Sequence, residues 1–176
     1  MHVRSFYDFI EELSLSEQFI EMGIWEVMSP EFYAFFWSLK LNDITISDTE
    51  YRKQMSQIQD EISGQEHDTR SETVIQQLQH KLASLKTERE LHQTHVKFCR
   101  DFIRSRQDHL LAHLPTEKLR SFVDAFVQLC LYPRIRLGHE DALFAFEFIV
   151  IMTKMGVENF PTLFILDKVV KELFPC

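Results

Sequence analysis

Residues 72–104 read ETVIQQLQHKLASLKTERELHQTHVKFCRDFIR, and the spacing of their apolar side chains decides the fold class. Ile75, Leu78, Leu82, Leu85, Val96, Cys99 and Ile103 fall on alternating three- and four-residue steps, with Arg89 and His92 on two of the rungs. Such a heptad alternation, sustained over four repeats, is the pattern of a coiled-coil seam. Upstream, Tyr51, Met55, Ile58 and Ile62 step by four, three and four, and the polar stretch SGQEHDTRS at 63–71 separates the two runs. Two seams joined by a short polar loop predict an antiparallel helical hairpin over 47–112. The second arm is the longer, so its far half, roughly 90–110, is expected to pack on a globular body rather than stand exposed.

The flanking segments also read as helix. Phe6, Phe9, Ile10 and Leu13 share one helical face, and Ser16 can cap a second helix carrying Phe19, Ile20, Ile24, Val27 and Met28. Ser29-Pro30-Glu31 combines an N-cap, a proline at the first helical position and an acid near the positive helix end. The aromatic FYAFFWSLKL that follows should be deeply packed, ending at Asn42-Asp43. Past Pro115, Thr116-Glu117 starts a helix that Tyr132-Pro133 should break. Glu140 and Asp141 suit the first turn of the next, and Gly156 suits its end. Asn159 caps a last helix through Leu163, Leu166, Val169, Val170 and Leu173. The expectation is an all-α fold of stacked antiparallel helix pairs with a protruding hairpin. It divides into a helical body at 1–46, the hairpin at 47–112 and the rest of the body at 113–176.

Composition agrees. Sixteen Phe against four Gly and five Pro in 176 residues leaves few tight turns. The three cysteines, Cys99, Cys130 and Cys176, have no paired spacing, which fits a reducing compartment better than a disulfide framework. No secretory signal opens the sequence, and no apolar run is long enough to span a bilayer, so no membrane partner is expected. Net charge is −8 but uneven. Residues 1–50 hold two basic and ten acidic side chains, whereas 86–136 hold ten basic and six acidic. That balance argues against a general nucleic-acid binder and permits a local anionic contact.

No catalytic constellation is apparent, and neither a cofactor nor a metal site is assigned. The common phosphate, dinucleotide, serine-hydrolase and zinc-protease motifs are absent. His109 and His113 lie four apart with no carboxylate between them. His92, His95 and Cys99 share a helical face that could supply zinc ligands, but a place on or beside the seam explains them more simply. The dense Phe residues read mainly as core. Lys97, Arg100 and Arg104 form a cationic row one turn apart along the long arm, and Arg134 and Arg136 sit in the corner after Pro133. Each set reads either as solvated surface or as a contact with an acidic partner or a phosphate backbone.

FFWSL at 35–39, LCLYPR at 129–134, Asp141-Ala142 and NFPTL at 159–163, in that order, resemble the family of large scaffold subunits (subunit 2) of the THO complex. The resemblance covers roughly 29–170 and implies an excised middle fragment, or a reduced relative, of a much longer helical scaffold. It implies a nuclear, non-enzymatic role in mRNP assembly and export, with other THO complex subunits and a DEAD-box RNA helicase as partners. The hairpin tip here is short and nearly neutral, where the family often has a longer lysine-rich one, so RNA contact is expected to be weak or indirect. A coiled-coil oligomerisation module in an unrelated intracellular assembly is the competing expectation.

Overall fold

The computed structural model describes residues 3–65, 72–111, 116–154 and 160–173. Among them it is all-α, with no strand. The chain divides into two compact units, one of Met1–Ile44 with Asp101–Cys176 and the other of Thr45–Arg100. The boundary therefore falls inside the longest helix, where the sequence pattern had placed it at 112.

The first helices are α1 (Val3–Ser14) and α2 (Glu17–Glu21). The helix expected to run from Ser16 through Met28 is in fact interrupted. Gly23 takes a left-handed conformation (φ 65°) that ends α2, and a 3-10 turn over Ile24–Glu26 follows. The entry to α3 (Pro30–Ser38) matches the sequence signal, with the Ser29 hydroxyl accepting from the Phe32 N–H at 3.1 Å. That helix stops at Ser38 rather than at Asn42-Asp43, which lie inside the short α4 (Leu41–Ile44). There the Asp43 carboxylate accepts the Lys40 N–H at 2.7 Å, so the residue that looked like a stop caps a start.

The hairpin consists of α5 (Asp48–Gln65) and the part of α6 (Glu72–Leu111) up to Arg100. Helix α5 runs through Ser63–Gln65, which the sequence pattern assigned to the loop, and residues 66–71 lie outside the described residues. Ile58, Ile62 and Leu82 form its buried centre, with Met55, Ile75, Leu78 and Leu85 half-buried around them. The two polar rungs of the seam find polar partners on α5. Arg89 donates to the Asp48 carboxylate at 2.7 Å, and His92 Nδ1 lies 3.4 Å from the Tyr51 hydroxyl. Asp48 faces Arg89 while Ile58 packs with Leu82, so the arms run antiparallel.

From Asp101 onward α6 belongs to the first unit, where Ile103 is fully buried and Phe102 meets Phe35 at a tilt with ring centroids 5.8 Å apart. After a 3-10 turn at Thr116–Lys118 comes α7 (Leu119–Phe126), then a π-helical segment at Val127–Leu131 and α8 (Tyr132–Leu137). Tyr132-Pro133 thus does not break the helix. An ordinary α-helix would clash the proline ring with the carbonyl four residues back and waste that carbonyl's bond. The π segment re-registers the backbone, the Tyr132 N–H reaching the Val127 carbonyl five residues back, and the helical run continues past the proline. Gly138 ends α8, and α9 (His139–Lys154) starts with Glu140 and Asp141 in its first turn, as expected.

The last helix, α10 (Thr162–Leu173), buries Ile165 and packs Val169 on the core, as the spacing suggested for Val169, but leaves Leu163, Leu166 and Val170 of the expected face exposed. Polar contacts accompany this orientation: Lys168 pairs with Asp124 of α7 at 2.8 Å, and Gln128 donates to Glu172 at 3.1 Å. The expected end at Gly156 and cap at Asn159 lie outside the described residues. The core of this unit is aromatic, with Phe32, Phe36, Phe122, Phe126, Phe144 and Phe148 fully buried. Phe36 alone meets Phe126, Phe144 and Phe148 edge-on at 5.1–5.4 Å. Pairs of this kind contribute about 0.5–1.5 kcal/mol each beyond simple burial.

Candidate partner-contact surfaces

Arg134 and Arg136 stand two residues apart on α8, so helical geometry points them away from each other. Arg136 is exposed, and Arg134 is only 5% exposed. The Arg134 guanidinium donates to the Phe36 carbonyl at 2.7 Å, the Leu39 carbonyl at 2.5 Å and the Asp141 carboxylate at 2.9 Å. It lies 3.8 Å from the centre of the Phe144 ring and 5.5 Å from those of Phe36 and Trp37. Carbonyls at the end of a helix have no partner within it, and this arginine takes two at the end of α3. The expectation that Arg134 contacts a partner is corrected here: its fork is spent on the fold, out of reach of another molecule.

The three remaining sites of that set are on α6. Lys97, Arg100 and Arg104 are exposed, and their steps of three and four place them along one side of the helix. Lys97 and Arg100 fall within the hairpin unit, and Arg104 within the stretch of α6 that belongs to the first. Sequence spacing located this row, and nothing in it is buried.

The histidine and cysteine face divides, His92 meeting Tyr51 across the hairpin and His95 meeting Cys99 along α6. His92 and Tyr51 meet edge-on with ring centroids 6.0 Å apart, and Cys99 Sγ lies 3.6 Å from His95 Nε2. Burial pushes the Cys130 thiol well above its usual pKa, against a smaller opposite pull from Arg134, which leaves it an inert packing residue. Cys176, His113 and the His109 side chain lie outside what is described. Among the described residues no helix is long and apolar enough to cross a membrane.

Sequence reasoning did not foresee that Arg134 joins separate motifs. Phe36-Trp37-Ser38-Leu39, Pro133-Arg134 and Asp141-Ala142 are about a hundred residues apart at the extremes, yet the Arg134 guanidinium ties the other two motifs to its own. Phe160, from the fourth motif, packs on Phe126 at 6.0 Å in the same core. The motifs describe a folded cluster rather than an exposed reading surface.

Residues 25–176 match the family model described as transcription factor/nuclear export subunit protein 2. The chain belongs to this family. It is 25% identical over 158 residues to THO complex subunit 2 of Homo sapiens and of Rhinolophus ferrumequinum, which covers 85% of this chain and 10% of each relative. THO complex subunit 2 of Arabidopsis thaliana is 25% identical over 146 residues, covering 78% of this chain and 8% of the relative. The chain therefore spans about a tenth of the length of the curated relatives it matches. No solved structure matches it.

Proposed function

We propose that this chain is a non-enzymatic scaffold segment of a THO-type complex in the nucleus, acting in mRNP assembly and export. The observation that carries the reading is the family match over residues 25–176. An all-helical build supports it, because packed helices offer long rigid faces for other proteins. In this reading the segment helps to hold other THO complex subunits and a DEAD-box RNA helicase. Lys97, Arg100 and Arg104 make the principal contact with an acidic partner surface, and Arg136 makes a secondary one. RNA contact is indirect or weak, consistent with the overall charge of −8.

The test is a charge-reversal series, Lys97→Glu, Arg100→Glu and Arg104→Glu, in the full-length protein carrying this segment. The triple variant is expected to lower recovery of THO subunits or helicase on co-purification at least tenfold while remaining folded by circular dichroism. Full recovery with a folded variant would remove the cationic row from the proposal. Failure of the unaltered protein to co-purify with any THO subunit would overturn the assignment itself.

A further inference from the structure

A two-helix hairpin cannot enclose its own seam, and here one side of it stays open. Met55, Ile75, Leu78 and Leu85 are only half-buried around the centre formed by Ile58, Ile62 and Leu82. Between the arms runs a groove of about 350 Å³, floored by Ile58 and Leu85 and walled by Gln54, Gln57 and Glu61 of α5 and Lys81, Ser84 and Glu88 of α6. Small-molecule sites are concave and mostly apolar, and this groove is an open trough with polar walls.

The groove has a continuation. Leu91 is one helical turn beyond Glu88 on the same side of α6, and Phe98 is two turns beyond Leu91. Leu91 is 66% exposed and Phe98 67%. Large apolar residues a heptad apart, in line with a trough between two coiled-coil helices, are what a third helix would cover.

Charge narrows the occupant. The α5 wall bears Glu61 and, farther along the same stripe, Glu50, with no base, and the α6 wall bears Glu88 against Lys81. The groove walls therefore carry two carboxylates and one ammonium, and Glu50 adds a third carboxylate beyond the groove on the same stripe of α5. We infer that the α5–α6 groove and the Leu91–Phe98 ridge dock one amphipathic helix of another protein, apolar on its buried face and basic on its flanks. This site is distinct from the cationic row, since Lys97 lies about 100° around the helix from Phe98. The inference rests on the scaffold reading above, because it requires a partner subunit.

The experiment places a photo-crosslinking benzoylphenylalanine at Ser84 or at Phe98 of the full-length protein and purifies the complex it forms. Both positions should label one partner protein. Fourteen residues of helix span about 21 Å, so the two labelled sites should lie about 14 residues apart in a single segment rich in Lys or Arg. Glu61→Lys should cut the yield from both positions at least tenfold without changing the melting temperature, and Lys81→Glu should not lower it. Labelling of a second copy of the chain, of nucleic acid or of an acidic segment, or no labelling in an intact complex, overturns the inference and leaves the scaffold reading standing. If no THO subunit co-purifies with the unaltered protein, both fall.

Discussion

The two units solve the problem of a charged residue among apolar ones in opposite ways. In the aromatic unit, Arg134 is enclosed by Phe36, Trp37 and Phe144, and its donors are taken by two backbone carbonyls and one carboxylate. In the hairpin, Arg89 stays 27% exposed and pairs with Asp48, itself 29% exposed. A buried charge must be fully matched or it destabilises, whereas one at the edge of water needs far less. The first unit therefore rests part of its stability on one fully matched side chain beside its aromatic core, and the second keeps its charges at the edge of the seam.

Replacing Arg134 with Met should have the largest effect and would test that dependence directly. The Phe36 and Leu39 carbonyls and the Asp141 carboxylate would lose their donor together, a loss of about 3–5 kcal/mol by denaturant titration. Arg134→Lys should recover little of it, because one compact ammonium cannot reach all three acceptors that the guanidinium meets through three separate nitrogens. A loss below about 1 kcal/mol for Arg134→Met would break the comparison. Ile58→Ala comes next, at about 2–4 kcal/mol for a buried aliphatic truncation. Its effect should be local. Hydrogen exchange is expected to quicken across α5 and the first half of α6 while α7 and α9 keep their protection.

The reach of the sequence differs between the units for the same physical reason. A seam is periodic, so the rungs from Ile75 to Ile103 and the antiparallel pairing were legible from spacing alone. Arg89 and His92 looked like lapses because their partners, Asp48 and Tyr51, lie some forty residues away in sequence. The buried role of Arg134 was invisible, since no local signal marks an arginine whose acceptors are backbone carbonyls. Pro133 misled in a similar way: its effect depends on the π segment before it, which depends on packing. On α10, apolar residues lie on both faces, and spacing alone did not single out Ile165, whose burial turns that face inward. The cationic row on α6 was legible as charge at helical spacing, but a groove with an apolar ridge requires knowing where α5 lies.

The smallest effect concerns acid. Asp48 accepts from Arg89 and pairs with Arg52 at 2.7 Å. The hydrogen bond from Arg89 is the main cause holding its carboxyl below the usual value of 3.8, with Arg52 adding to it. A carboxyl depressed in the folded state stabilises the fold above its unfolded pKa and loses that contribution as pH falls through the folded one. The hairpin should therefore keep this contribution at neutral pH and lose it progressively below about pH 4. Both groups are partly in water, so the shift in melting temperature should be small and should shrink in high salt. Comparing the parent with Asp48→Asn isolates it: the variant should melt slightly lower at pH 7, and the two should converge near pH 2. If the gap between them persists at pH 2, the Arg89 rung is held by packing instead, and the hairpin resembles the aromatic unit more closely than its exposed ion pair suggests.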